Sequence, residues 1–252
     1  DISAIKELAR LREEWTSVIA HDLRQPIGVI TTLASALRER WESEATDSGE
    51  LRAIAHIGTA AEHLKKMTND LLDVSLLDAS SLRLELRLLD LVLLVREVID
   101  RAAEWVNGRD VQFAAPEQPL PIHADPGRIE QILGNLLSNA VKYSTPDTPI
   151  QVELAADTHD ALLAVVNEGI GIAPSELPQL FTRFHRTQAV RDRRISGLGL
   201  GLYLTKGLVE AHGGRIWAES EPGRTTAFRI RLPLARFPTD VGASTVSGRP
   251  IA

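Results

Sequence analysis

The chain has 252 residues, of which 44% are hydrophobic and 25% charged, a size and composition that allow one or two globular domains. With 34 acidic against 28 basic side chains the net charge is −6, without the basic excess that a nucleic-acid-binding surface carries. The absence of cysteine excludes disulfides, thiolate metal sites and cysteine nucleophiles, and fits a reducing cytoplasm; no apolar run approaches the roughly 20 residues that span a bilayer, and no signal-peptide pattern is present.

The first third is poor in helix breakers. Only Pro26 precedes Pro116, and only Gly28, Gly49 and Gly58 fall before residue 100. Two amphipathic stripes follow, with steps of three and four residues: Ile5, Leu8, Leu11, Trp15, Val18, Asp22, Ile27, Ile30, Leu33, Leu37, Trp41, and then Leu51, Ile54, Ile57, Ala61, Leu64, Thr68, Leu71, Val74, Leu77. The polar stretch 42–50, with Ser48-Gly49 read as a turn, joins them into an antiparallel helical hairpin. Two helices leave one stripe poorly covered. A homodimer forming a four-helix bundle covers it, and so does packing of one hairpin on the rest of the chain. Because Asp1 runs straight into a helical pattern, the sequence reads as a piece of a longer protein.

Residues 82–88 alternate like a strand and 90–106 look helical. Further strands are expected at 111–114, 150–155, 161–166, 214–219 and 226–232, and helices at 126–142 and 200–212. The expected fold class is α+β: a hairpin over 1–80 forming a dimeric four-helix bundle, an α/β sandwich over 81–236, and a disordered tail over 237–252 rich in Gly, Ser, Thr and Pro.

Several segments carry residues suited to chemistry. In SVIAHDLRQPIGVI, His21 lies at the edge of the first stripe, where a mostly neutral imidazole offers a ring nitrogen as nucleophile. Asp22 is placed to orient the ring and accept its proton, given a suitable rotamer, and Gln25 shares the face of His21 one turn on. Read alone, His21 is more simply a surface histidine in a charged turn. In QILGNLLSNAVKYS, Asn135 and Asn139 share a helix face and offer amide oxygens to a hard cation such as Mg²⁺. Lys142 can meet a phosphate and Tyr143 ends the same helix, although capping asparagines and a solvated lysine remain an even alternative.

In VVNEGIGIAP, Asn167 ends a strand with a carbonyl oxygen able to accept from an adenine amino group, and Gly169 and Gly171 let a flat ligand approach the backbone; an ordinary glycine turn explains them as well. Gly197, Gly199 and Gly201 precede a helix, where backbone N–H groups face an anion, without the lysine and hydroxyl of a P-loop or the spacing of a dinucleotide fingerprint. Between these two segments, LFTRFHR supplies two apolar anchors, Phe181 and Phe184, to a basic stretch that reads as a lid over phosphates or as a plain surface loop.

The order of these segments resembles the sensor histidine kinases of two-component signalling over roughly residues 5–235. HDLRQP looks like the H box, NLLSNAVKYS the N box, NEGIGI and GLGLGL the two glycine boxes, and LFTRFHR the F box, while EAHGGRIWAESEPG resembles the closing strand and turn. The resemblance implies a dimerisation and phosphoacceptor domain followed by an ATPase domain of the gyrase, heat-shock-90 and MutL type. It implies that His21 accepts the γ-phosphoryl group of ATP with Asp22 as general base. Asn139 would hold Mg²⁺ with Asn135 close by, Lys142 would touch phosphate, and Tyr143 would pack near the nucleotide. Gly169 and Gly171 would line the adenine pocket, and Gly197, Gly199 and Gly201 the lid hinge and phosphate site.

The implied partner is the receiver domain of a response regulator, whose aspartate takes the phosphoryl group. Two positions depart from the family pattern. Asn167 stands where Asp is usual, which implies weaker adenine binding, and Gln25 stands where Thr or Asn positions water for dephosphorylating the regulator. The alternatives are a protein that mainly acts as a regulator phosphatase and a non-catalytic regulator-binding scaffold. Intact His21 and Asn139 and the three glycines oppose the scaffold.

Overall fold

In a computed structural model of the chain, residues 27–37, 48–103, 105–106, 108–192 and 197–235 are described. His21, Asp22 and Gln25, the bend at Pro26, most of the first stripe and the tail over 237–252 lie outside these residues.

A helix over 27–37 (α1) and a long helix Ser48–Asp78 (α2) represent the hairpin. Ile30, Leu33, Ser35 and Leu37 are the more covered side chains of α1, three of them from the expected stripe, whose member Ile27 is exposed. Ser48 and Gly49 are part of α2 rather than of a turn, as suits a serine near a helix start. The buried line on α2 runs Ala60, Met67, Val74, and Ala61 and Thr68 of the expected stripe are exposed. The rotation has a cause in the packing: Met67 and Val74 cluster with Leu198 and Leu200, with Leu71, Phe184 and Tyr203 at the edge. Among the described residues no helix is long and apolar enough to cross a membrane.

The rest of the chain forms a two-layer unit. A five-stranded sheet has the order β2-β4-β5-β7-β6, from β2 (Val111–Ala114), β4 (Ile150–Ala156), β5 (Asp160–Glu168), β6 (Arg215–Glu221) and β7 (Thr225–Pro233). The β2–β4 pair is parallel and the other pairs are antiparallel. A two-stranded antiparallel sheet joins β1 (Arg87–Asp90) to β3 (Pro121–Ala124). Helices α3 (Leu91–Ala102), α4 (Pro126–Tyr143) and α6 (Gly201–Ala211) share one core with the large sheet, and a short helix α5 (Gln188–Asp192) lies in the loop before α6. Along β4, Ile150, Val152 and Leu154 are buried and Gln151 and Glu153 exposed, the period-two pattern of a sheet with one covered face.

Local signals set the element ends. Asp90 caps α3, its Oδ1 accepting from the Val92 N–H at 2.9 Å and also from the Leu120 N–H at 3.0 Å. Asp125 caps α4, accepting from Arg128 N–H at 3.2 Å, and Pro126 occupies the first turn, where no amide hydrogen is needed. Two expectations change. The alternating run 82–88 contributes only its last two residues to a strand, because the Glu85 N–H donates to Asp125 Oδ2 rather than to a ladder. The helix expected over 90–106 stops at Ala102, after which the Ala103, Trp105 and Val106 amides close turns onto Ile99 and Ala102.

Candidate functional site

Helix α4 carries the segment NLLSNAVKY along one side of a cavity. Its apolar residues Ile132, Leu133, Leu136, Leu137 and Ala140 are buried in the core, which leaves Asn135 and Asn139 on the face toward α6 and the glycine loop. Asn135 is 6% exposed, Asn139 is half-buried, and Lys142 is exposed with its Nζ 5.6 Å from the Tyr143 ring centroid. Burial pushes the Tyr143 hydroxyl above its ordinary range, with Arg186 opposing.

These residues open onto a cavity of about 280 Å³, near the lower edge of the roughly 300–1,000 Å³ usual for small-molecule sites. Its walls include Asn135, Ser138, Asn139, Lys142 and Tyr143 from α4, Asn167 and Thr226 from the sheet, and Gly171 from the turn after β5. The run Gly197–Leu202 lines the cavity as well. Of the residues expected to bind a nucleotide, only Gly169 stands behind the wall. It packs on the end of α4, where an added Cβ would lie 2.1 Å from the Tyr143 carbonyl oxygen.

Two glycines are required by the backbone. Gly171 has φ +66° and an added Cβ would meet the Glu221 carbonyl at 2.5 Å; Gly199 has φ +70° and would meet the His185 carbonyl at 2.7 Å. Gly201 is different, since a Cβ there would lie 3.8 Å from the Asn135 amide in ordinary contact. Leu200 precedes α6 without a side-chain cap, so the first amides of that helix meet no side chain of the N-cap residue at the cavity wall.

The F-box phenylalanines are anchors. Phe181 meets Phe228 edge to face, with centroids 6.5 Å apart, and Phe184 joins the Met67–Leu198–Leu200 cluster. His185, Arg186 and Thr187 follow them into the cavity wall. Burial lowers the His185 pKa, with Glu176 opposing and Arg191 adding. Three buried polar atoms among the described residues have no hydrogen-bond partner, Asn135 Nδ2, His185 Nε2 and Thr187 Oγ1, and all three residues line this cavity. A pocket built from unsatisfied polar groups and apolar walls suits a ligand that has both.

Sequence reasoning missed one wall. Lys66, Met67 and Asp70 of α2 also line the cavity. Lys66 Nζ donates to Asn135 Oδ1 at 2.9 Å and pairs with Asp70 at 3.3 Å. Burial raises the Asp70 pKa, with Lys66 opposing and Asp73 adding. Farther along α2, Asp73 receives Arg128 Nη1 on both oxygens at 2.9 Å and Gln131 Nε2 at 2.8 Å. These contacts join residues 55 to 69 positions apart, and no local pattern announces them.

Two family models match the chain: "His Kinase A (phospho-acceptor) domain" over residues 11–80, and "Histidine kinase-, DNA gyrase B-, and HSP90-like ATPase" over residues 124–236. The sensor histidine kinase WalK of Bacillus subtilis is 31% identical over 238 residues, covering 92% of this chain and 38% of WalK. The chain therefore spans well under half of that relative. Among solved structures, full-length ShkA in complex with AMPPNP is 25% identical with a TM-score of 0.64, covering 88% of this chain and 46% of ShkA. Histidine kinase ThkA in complex with the response regulator protein TrrA has a TM-score of 0.63 at 23% identity, covering 91% of this chain and 64% of that one, and supports the fold alone.

Proposed function

The chain belongs to the sensor histidine kinases, and from that premise we propose that it is an ATP-dependent autokinase core that phosphorylates His21 and passes the phosphoryl group to an aspartate of a response regulator. The observation that carries this reading is the convergence of Asn135, Asn139, Lys142, Tyr143, Asn167 and the glycine run 197–201 on one cavity. We assign residues 1–80 to the dimerisation and phosphoacceptor domain, 81–236 to the ATP-binding domain, and 237–252 to a tail.

In this assignment Asn167 and Gly171 serve the adenine end, with Tyr143 beside it. Lys142 and the amides of the glycine loop and the start of α6 serve the phosphates. The amide oxygens of Asn139 and Asn135 fit a hard divalent cation, and magnesium bound there would neutralise charge on the phosphates. The His21 imidazole nitrogen attacks the γ-phosphorus, the bond from that phosphorus to the β–γ bridging oxygen breaks, ADP departs, and the imidazole proton passes to Asp22. The protein's share of this chemistry is alignment and charge stabilisation. Gln25, one turn beyond His21, is assigned the positioning of water when the regulator is dephosphorylated.

A homodimer is supported by apolar side chains left exposed on the hairpin: Ile27 and Val29 on α1, Leu72 and Leu76 on α2. The place of action is proposed to be the cytoplasm, where ATP and receiver domains are found.

The test is incubation with γ-labelled ATP and magnesium. The wild type should acquire an acid-labile, base-stable phosphate, and His21→Ala should lose it while still binding AMPPNP. Label retained by His21→Ala would overturn the assignment.

A further inference from the structure

Lys66 stands out because it belongs to the helical hairpin and yet holds a buried amide oxygen of the nucleotide cavity. Its ammonium group donates to Asn135 Oδ1 at 2.9 Å and lies 3.3 Å from the Asp70 carboxylate. An amide oxygen beside a carboxylate is the donor set that a hard metal ion prefers, and here a tethered monovalent cation holds it. The Nδ2 of Asn135 is buried without a partner, so Lys66 is the hydrogen-bond partner that orients this amide.

We propose that Lys66 is a resident cation of the nucleotide site, holding Asn135 until magnesium and nucleotide displace it and free this wall of α2. The proposal rests on the assignment of the cavity to nucleotide. A magnesium ion using Asn135 together with Asn139 cannot share the Asn135 oxygen with an ammonium group in contact distance, because two cations a few ångströms apart repel and the metal requires its own ligand geometry. The ion with two charges wins that oxygen when it arrives with a polyphosphate.

The contact sits in a row. Lys66, Asp70, Asp73 and Leu77 follow one face of α2 at steps of four, three and four. Asp73 grips Arg128 and Gln131 of α4, and Leu77 packs where a Cβ on Gly207 of α6 would come within 2.7 Å. Next to Lys66, Met67 packs on Leu198 and Leu200 of the glycine loop. Displacing Lys66 therefore loosens the end of this row nearest the cavity. The cost of displacement is subtracted from nucleotide affinity, as in any equilibrium where the competent state must first be populated.

Binding of AMPPNP to the full chain, measured with magnesium and with EDTA, tests this in the wild type and in Lys66→Met, which keeps the unbranched apolar stem and loses the charge. In magnesium the variant should bind about tenfold tighter, the scale of one charge-assisted hydrogen bond removed from a competing state. In EDTA the gain should shrink. Unchanged affinity overturns the proposal; weaker affinity also overturns it and makes Lys66 a phosphate ligand. A second measurement needs no variant: amide exchange over residues 61–74 of the wild type should quicken when magnesium and AMPPNP saturate the site, and unchanged or slower exchange overturns the proposal. Absence of AMPPNP binding by the wild type is a separate result, which fells the nucleotide assignment itself.

Discussion

The guanidinium of Arg183 stacks over the ring of Tyr203, 4.7 Å from its centroid, and both side chains converge on the carboxylate of Asp78. Tyr203 Oη donates to Asp78 Oδ1 at 2.9 Å and accepts from Arg183 at 2.7 Å. Three segments thus meet at one carboxylate: the end of α2, the F box and the first turn of α6. Asp78→Ala should lower the unfolding free energy by about 1–3 kcal/mol, since it removes the carboxylate to which both Arg183 and Tyr203 donate. Asp78→Asn, which keeps an acceptor oxygen, should lose less. Urea denaturation of the two variants checks the order.

The Asp73–Arg128–Gln131 triangle should behave as a unit. Asp73→Ala and Arg128→Ala are each expected to cost about 2–4 kcal/mol, because the first strands the half-buried Arg128 guanidinium and the second the buried Asp73 carboxylate. The double variant should cost clearly less than the sum. An additive result would show that the two side chains do not interact in solution.

The glycine loop offers a sharp contrast. Gly199→Ala must adopt a left-handed backbone, costing roughly 1–2 kcal/mol, and must also move the His185 carbonyl. AMPPNP binding should fall by about tenfold or more. Gly201→Ala, which meets only ordinary contact at 3.8 Å and gains helix propensity, should bind within a few-fold of wild type. Equal losses at both positions would contradict the loop geometry.

Assembly should depend on the outward face of α2. Leu72 is 60% exposed and Leu76 is 42% exposed. Placing lysine at both positions should weaken dimerisation by at least about tenfold, given roughly 1.5–3 kcal/mol for each leucine buried in an interface. Sedimentation velocity measures this. A dimer of unchanged strength would put the interface elsewhere.

Acid should attack the start of α4. Burial pushes the Asp125 carboxyl up, but hydrogen bonds from the Glu85, Arg128 and Gly127 amides outweigh it, and its pKa is lowered. The folded state therefore binds this proton less readily than the unfolded chain. The stabilisation is complete above the unfolded carboxylate pKa near 3.9 and is lost as pH falls through the lower, folded value. Asp125→Ala should cost about 1 kcal/mol at neutral pH and flatten the acid limb of a plot of Tm against pH.

Much of this arrangement was legible in the sequence, and the particular failures are instructive. Helix α4 was expected over 126–142, one residue short of its end, and the four-residue step between Asn135 and Asn139 already placed them on one face. The strands β4 to β7 followed from alternation and glycine turns. Strand β3 was missed because Pro121 opens a run of only four residues with one exposed position inside it. The wall formed by Lys66, Met67 and Asp70 was missed for another reason. Periodicity tells which face of α2 is apolar, but not which distant surface that face meets. The same limit explains the rotated buried line at Ala60, Met67 and Val74: the neighbours that bury Met67 and Val74 lie more than a hundred residues away, in the glycine loop.

Asn167 is the last member of a core row. Ala161, Leu163 and Val165 precede it on the helix-facing side of β5, and it pairs with Ile150 on one side and Thr226 on the other. A strand displaced by a single residue would present Val166 or Glu168 to the cavity instead. Under the proposed assignment, recognition at that position is quantised: the hydrogen-bonding atom arrives only when the whole ladder is in step, and a half-formed sheet offers not a weakened site but a different one.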